Sequence, residues 1–226
     1  MASEREIVEA RWAMAARDPR YFSRWFVFTL DSQAQERGES NPIRPWPARP
    51  HLDLLCGLWW HHPMLFVAKS RQMMVTWFAS MISVWQILFR RGALVYQQSK
   101  RLEDAMGDEA TGDGLLGRSK FILSHVPYRS WLLPRRVVVR SDSIQIPGMH
   151  SGIQAIAQGG DKIRSHTVTQ LVSDETAFQP EFSAALTATM SSIRKGRFLG
   201  ITTPDLTDGG ASMRLALDMT DEEAIA

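Results

Sequence analysis

Met64-Leu65-Phe66-Val67-Ala68-Lys69-Ser70-Arg71-Gln72-Met73-Met74-Val75-Thr76 is the stretch on which the reading of the fold turns. Its opening apolar run, Met64 to Ala68, has the pattern of a strand buried in a parallel sheet. Residues 74 to 90 that follow are long enough and apolar enough for a buried helix. Strand, tight turn and helix N-terminus together form an anion cradle, because free amides and the positive end of the helix dipole face the turn. A standard phosphate loop reads G-x-x-x-x-G-K-[ST]. Of those positions, Lys69 to Thr76 here, the chain keeps only the last: Met74 stands where glycine is usual and Val75 where lysine is usual. Thr76 can still offer a hydroxyl to magnesium. Lys69 can supply the displaced ammonium from the other end of a loop that wraps its ligand, and Arg71 is a second cation within it. By themselves these residues also fit an ordinary strand–helix turn carrying two basic side chains.

Downstream, Thr167-Val168-Thr169-Gln170-Leu171-Val172-Ser173-Asp174-Glu175 reads as a strand that ends in two carboxylates. The first of such a pair can hold magnesium through its water shell; the second can orient or deprotonate an attacking water, the division of labour of enzymes that hydrolyse nucleotides. The plainer alternative is an acidic cap on the next helix. An upstream phosphate loop favours the chemical reading.

Working outward, strands are expected at residues 93–96, 136–140, 143–146, 152–157 and 198–202, the second and third pairing around Ser141-Asp142. Helices are expected over 101–126, interrupted near Gly112 to Gly117, and over 179–193. Strands alternating with helices argue for a layered α/β fold with a mostly parallel sheet, whose ligands sit beyond the carboxyl ends of the strands. Residues 4–30 read as helical, with Trp12, Phe22, Trp25 and Phe26 on apolar faces and a break at Asp18-Pro19. Pro42, Pro45, Pro47 and Pro50 predict an irregular connector over 32–50, followed by a helix from His51 to Trp60. The expected organisation is a helical segment and connector (1–60) packed on a core (61–205), with polar, acidic residues 206–226 opening a linker.

The chain has 226 residues, 44% hydrophobic and 22% charged, the balance of a soluble globular protein. No apolar stretch approaches bilayer length, the start lacks a signal-peptide core, and no membrane association is expected. Cys56 is the single cysteine, which excludes an internal disulfide and fits a reducing compartment. A net charge of +2 neither demands nor excludes nucleic acid. The local basic runs Arg90-Arg91, Arg135-Arg136 with Arg140, and Arg194-Lys195 with Arg197 can touch phosphates or form solvated faces. His61-His62 lack the spaced partners of a zinc site. The tryptophans read mostly as core, Trp77 and Trp85 sharing one helix face, and Met73, Met74 and Met81 as packing around the loop.

With loop and acidic pair in place, the chain resembles the ATPase domain of phage large terminase subunits, the motors of DNA packaging. Ser70-Arg71-Gln72 is similar to the serine-arginine-glutamine run of that family's loops, where lysine at the first position, as in Lys69, is a known variant. Gly200-Ile201-Thr202-Thr203-Pro204 is similar to its coupling motif, whose hydroxyls sense the nucleotide state. Gly159-Gly160-Asp161-Lys162-Ile163-Arg164 lies where related motors carry an arginine that reaches the neighbouring subunit's nucleotide. The order loop, arginine, acidic pair, Thr-Thr-Pro matches that family and spans roughly residues 42–205.

The resemblance implies a RecA-like P-loop ATPase of the additional-strand catalytic-glutamate type, with ATP and Mg2+ as its ligands. It implies that residues 69–76 cradle the phosphates, that Thr76 and Asp174 hold magnesium, that Lys69 and Arg71 neutralise phosphate charge, and that Glu175 activates water. Arg164 then acts from an adjacent subunit, and Thr202 and Thr203 couple phosphate loss to movement. It further implies a pentameric ring on a portal protein, double-stranded DNA and a small terminase subunit as partners, and a place in the host cytoplasm and transiently at the procapsid portal, not in the mature virion. The family's adenine-contacting glutamine is not evident; Trp46 in Ile43-Arg44-Pro45-Trp46-Pro47 can stack on adenine, although a core role suits it better. No nuclease activity is expected, since that ribonuclease-H-like domain needs roughly 150–200 further residues. The rival reading from Val75 is a degenerate loop that binds nucleotide or DNA in packaging assembly without efficient hydrolysis. A helicase or remodeller would need further motifs and a second sheet domain.

Overall fold

The computed structural model describes residues 3–34, 36–70, 72–158, 168–176 and 196–203. The first helix, α1 (Glu4–Ala15), starts at a capping box in which Ser3 and Glu6 satisfy each other's backbone amides. The second, α2 (Pro19–Phe26), starts where the Asp-Pro step predicts: Asp18 accepts from the Arg20 amide and Pro19 occupies the first turn.

Helix does not continue to residue 30. Instead β1 (Phe28–Leu30) pairs antiparallel with β2 (Ile43–Pro45), so the connector expected to be irregular holds a short ribbon. Prolines cannot donate to a ladder, but they can accept from one: the Pro42 carbonyl takes the Asp31 amide at 2.8 Å, and Pro45 sits at the strand's end. Next come α3 (Pro50–His61), β3 (Met64–Ala68) and α4 (Val75–Phe89), then β4 (Leu94–Ser99), α5 (Leu102–Met106), α6 (Leu115–Ser124) and the single turn α7 (Arg129–Leu132). The strands β5 (Val138–Val139), β6 (Ser143–Ile146), β7 (Ser151–Ala157), β8 (Gln170–Ser173) and β9 (Arg197–Thr202) complete the described elements. The helix expected over 179–193 and the segment 206–226 lie outside the described residues.

The main sheet has seven described strands in the order β3-β9-β8-β4-β7-β6-β5. From β3 to β7 every pairing is parallel; β6 and β5 add an antiparallel margin. β3 is therefore the outer described strand on its side, and its apolar residues are half-buried rather than buried.

One face of this sheet carries most of the core. α4 is buried all round, from Val75 through Leu88 apart from Thr76, and packs on the sheet with α6. The N-terminal helices share that core. Trp85 of α4 donates to the Ala15 carbonyl at 2.7 Å, and Trp12 meets Phe89 at 4.7 Å between ring centroids. Alternate strand residues point the other way, where Tyr96, Ile156, Leu171 and Phe198 form a smaller cluster. Trp25, Trp60 and Trp131 remain substantially exposed, while the other five tryptophans lie in or against the core. No helix of the described residues is long and apolar enough to cross a membrane.

Arg197, grouped in the sequence with a basic run, turns back onto its own chain. It begins β9 and donates to the carbonyls of Trp59, Trp60 and His62 at the end of α3, with its guanidinium 4.7 Å from the Trp59 ring centroid. A cation at a helix C-terminus answers both the unpaired carbonyls and the dipole.

Candidate active site

The carboxyl ends of β3, β8 and β4 open on one side of the sheet, as the α/β rule requires. After β3, the Lys69 amide donates to the Thr202 carbonyl at 2.9 Å, which ties the start of the loop to the tip of β9. The loop then turns through Gln72 (φ 64°) and Met74 (φ 62°), both left-handed. Met74 is the residue that precedes α4, and it adopts the conformation that glycine takes most easily at such a turn. A left-handed non-glycine costs on the order of 1–3 kcal/mol; here the Met74 side chain packs against the core. A His51 ring nitrogen lies 3.1 Å from the Met73 carbonyl and pins the loop to α3.

Val75 is 3% exposed and belongs to the core. Its apolar character follows from that burial, and it leaves the charge of the usual lysine to be supplied by other elements. Thr76, half-buried one residue later, hydrogen-bonds the Asp174 carboxylate.

Asp174 and Glu175 leave the end of β8. The Asp174 amide donates to Gln98 of β4 at 2.9 Å, and the Glu175 amide donates to Asp174 Oδ1 at 3.0 Å. Burial raises the Asp174 carboxyl above its ordinary value, against the opposing charges of Lys69 and Arg118 and hydrogen bonds from the Glu175 amide and Thr76. Glu175 is raised too, by partial burial of its carboxylate and by the like charges of Asp174 and Asp104, with Lys69 and Lys100 opposing. A carboxylate displaced in that direction is a better proton acceptor near neutral pH. Glu175 also holds φ 56°, a third left-handed residue at the same place.

Two cavities meet here. One, of about 610 Å3, runs from the β1–β2 ribbon to the loop, with Asp31, Gln33, Arg44 and Arg49 on its outer wall. The other, of about 660 Å3, holds Asp174 and Glu175 together with Lys100, Asp104 and Asp113. Lys69, Thr76 and Arg118 line both. Lys69, Thr76, Asp174 and Glu175 are thus brought together, while Gln72, Met73, Met74 and Val75 line only the first cavity. Ser70 is exposed and lines neither of these two cavities. Trp46 lines neither as well: it packs against the core and its amide donates to Val27 at 3.0 Å, in keeping with its core reading. Thr202 is buried at the tip of β9, its hydroxyl 3.0 Å from the Thr203 carbonyl, and Thr176 reaches the Ile201 carbonyl at 3.3 Å, so acidic pair and β9 tip are joined. Arg71 and Arg164 lie outside the described residues.

Arg118 and the ribbon residues were not foreseen. The signal for the ribbon side was weak, because arginines and an aspartate among prolines mark nothing. For Arg118 the nearby run of glycines, Gly107 to Gly117, was a signal of a tight turn beside the end of β4.

For a magnesium ion, the Thr76 hydroxyl and Asp174 carboxylate supply two adjacent hard oxygens. Among the described residues no group of three or more His, Cys, Asp and Glu side chains could hold a metal unaided. That donor set fits an ion held by one carboxylate and completed by phosphates and water.

No protein-family model and no curated protein matches the chain. Among solved structures, it is similar to the large terminase of bacteriophage HK97, with a TM-score of 0.65 and 11% identity, covering 93% of this chain and 42% of that one. The chain therefore spans less than half the length of that protein. It also matches a Thermus phage large terminase ATPase domain (18% identity, 66% and 62% of the two chains, TM-score 0.49) and the large terminase of a thermophilic bacteriophage in complex with ADP (16% identity, 62% and 33%, TM-score 0.43). The fold expected from the sequence is the one observed: a mostly parallel sheet flanked by helices, in the arrangement of a large terminase.

Proposed function

We propose that this chain hydrolyses ATP to drive double-stranded DNA into a viral procapsid, as the motor domain of a large terminase subunit. The observation that carries the reading is the convergence of Lys69, Thr76, Asp174 and Glu175 on one cavity at the carboxyl edge of a sheet with that fold.

ATP lies across both cavities, its base toward the β1–β2 ribbon and its phosphates over the loop at the head of α4. The helix dipole and free amides of that turn favour the negative charge. Thr76 and Asp174 hold magnesium, which neutralises phosphate oxygens when bound. Lys69, and Arg71 within the same loop, add positive charge. Glu175 accepts a proton from a water whose oxygen attacks the terminal phosphorus as the bond to the ADP oxygen breaks. Arg164 of a neighbouring copy completes the charge in a pentameric ring seated on a portal, with a small subunit delivering DNA in the host cytoplasm. Thr202 and Thr203, next to the acidic pair, pass on phosphate loss.

Steady-state phosphate release with magnesium ATP, beside Glu175→Gln, is the test. Release should fall by roughly 10²–10⁴-fold in the variant while nucleotide binding persists. Equal release would remove Glu175 from its role. Val75 in the core favours one second reading, a module that binds nucleotide without efficient hydrolysis; binding with no release from the wild type at any concentration would support it.

A further inference from the structure

Arg118 is positioned by the protein and, apart from its charge facing Asp174, only weakly paired by it. It stands one turn into α6, with its guanidinium 5.6 Å from the Trp77 ring centroid. One terminal nitrogen donates to Gly114 of its own first turn at 3.2 Å. The other lies 3.8 Å from Asp113, whose side chain is 79% exposed against 20% for Arg118. An ion pair that long and that open contributes little. The buried Nε has no hydrogen-bond partner among the described residues. An arginine brings five donors in a rigid fork, and leaving one buried and unmatched is costly.

The turn before α6 sets the position of the helix that carries that fork. At Gly107, which has φ +54°, an added Cβ would lie 2.0 Å from the Asp113 carbonyl oxygen; at Gly117 it would lie 2.6 Å from that of Asp108. Residues 107–114 are folded tightly against the head of α6, which sets the backbone position from which Arg118 projects.

We propose that Arg118 is a ligand of the terminal phosphate of a nucleoside triphosphate, acting within its own chain and supplying, with Lys69, the charge that buried Val75 cannot. This rests on the nucleotide-site reading given above. Three residues line both cavities: Lys69, Thr76 and Arg118. The ribbon side takes the base, and the far side holds Asp174 and Glu175. The phosphate that crosses the junction toward those carboxylates is the terminal one. It enters among Asp104, Asp113, Asp174 and Glu175, and Arg101, the other arginine there, is already paired with Asp104 at 3.1 Å. A planar fork at the junction suits a phosphate better than a point charge does.

Calorimetric titration of the chain with magnesium ADP and with magnesium β,γ-imido-ATP tests this on wild type, Arg118→Met and Arg118→Lys. Both variants keep the stem over Trp77. Arg118→Met should weaken the triphosphate analogue about tenfold or more and shift ADP by less than about threefold; Arg118→Lys should fall between. Should Arg118→Met not melt cooperatively, Arg118→Lys decides: selective loss of the triphosphate supports the assignment, and equal change for both nucleotides overturns it. No change in either variant overturns it too and leaves the site reading standing. Failure of the wild type to bind either nucleotide overturns both.

Discussion

Asp174 sets a conflict between stability and chemistry. Its folded-state value is raised, chiefly by burial. For a raised carboxylate, stability is fully present below the unfolded value and is lost as pH rises through the folded one. Above the ordinary carboxylate range Asp174 therefore opposes folding, relieved in part by Lys69, Arg118 and Thr76. Asp174→Asn, which keeps an acceptor for Thr76, should raise the melting midpoint at neutral pH, and the gain should shrink as pH falls through the carboxylate range. Thermal melts across that range check this; a lower midpoint at neutral pH would sink it. The same replacement should abolish hydrolysis. At this scale the sequence was most informative where function is local in the chain: Lys69, Asp174 and Glu175 each follow a strand end, and Thr76 opens a helix, that the apolar runs announce. Met74 was legible only as a departure from a pattern. Its left-handed backbone, which keeps the geometry of the missing glycine, depends on packing that no motif displays. Arg118 was illegible because its meaning comes from a turn that brings α6 beside the ends of two strands distant in the sequence.

Among the elements, the turn from α5 to α6 is the most sharply constrained. Gly107→Ala should destabilise the protein by at least about 1–3 kcal/mol, from a left-handed non-glycine together with a backbone collision, and should displace Arg118. Denaturant melts of the variant measure it, and an unchanged midpoint would show that the turn has room to relax. Long elements were readable from hydrophobic runs: α4 is apolar on every side because every side is covered. Short ones were not. β1 and β2 are three residues each, too brief for periodicity, and prolines concealed β2 because they forbid donation while leaving carbonyls able to accept. Apolar content also failed to tell an outer strand from a central one, which is why β3 is half-buried where burial was expected.

At the level of the whole molecule, the proposed motor needs a second chain, because that proposal has Arg164 act across a subunit boundary. Phosphate release per chain should then rise with protein concentration instead of staying flat. Release measured over a wide concentration range decides this, and a constant specific activity would mean that each chain carries a complete site. The N-terminal helices belong to the same core as α4, so the segment 1–60 and the sheet stand or fall together in any such preparation. β9 also has a consequence for how movement travels. Its foot is bolted to the end of α3 by Arg197, and ladders to β3 and β8 brace both flanks. Its tip touches the loop through Lys69 and the acidic pair through Thr176. A strand laddered to β3 as far as Thr202 and to β8 as far as Gly200 is a braced rod, so under the proposed function a displacement of the loop or of the acidic pair would reach its tip with little bending.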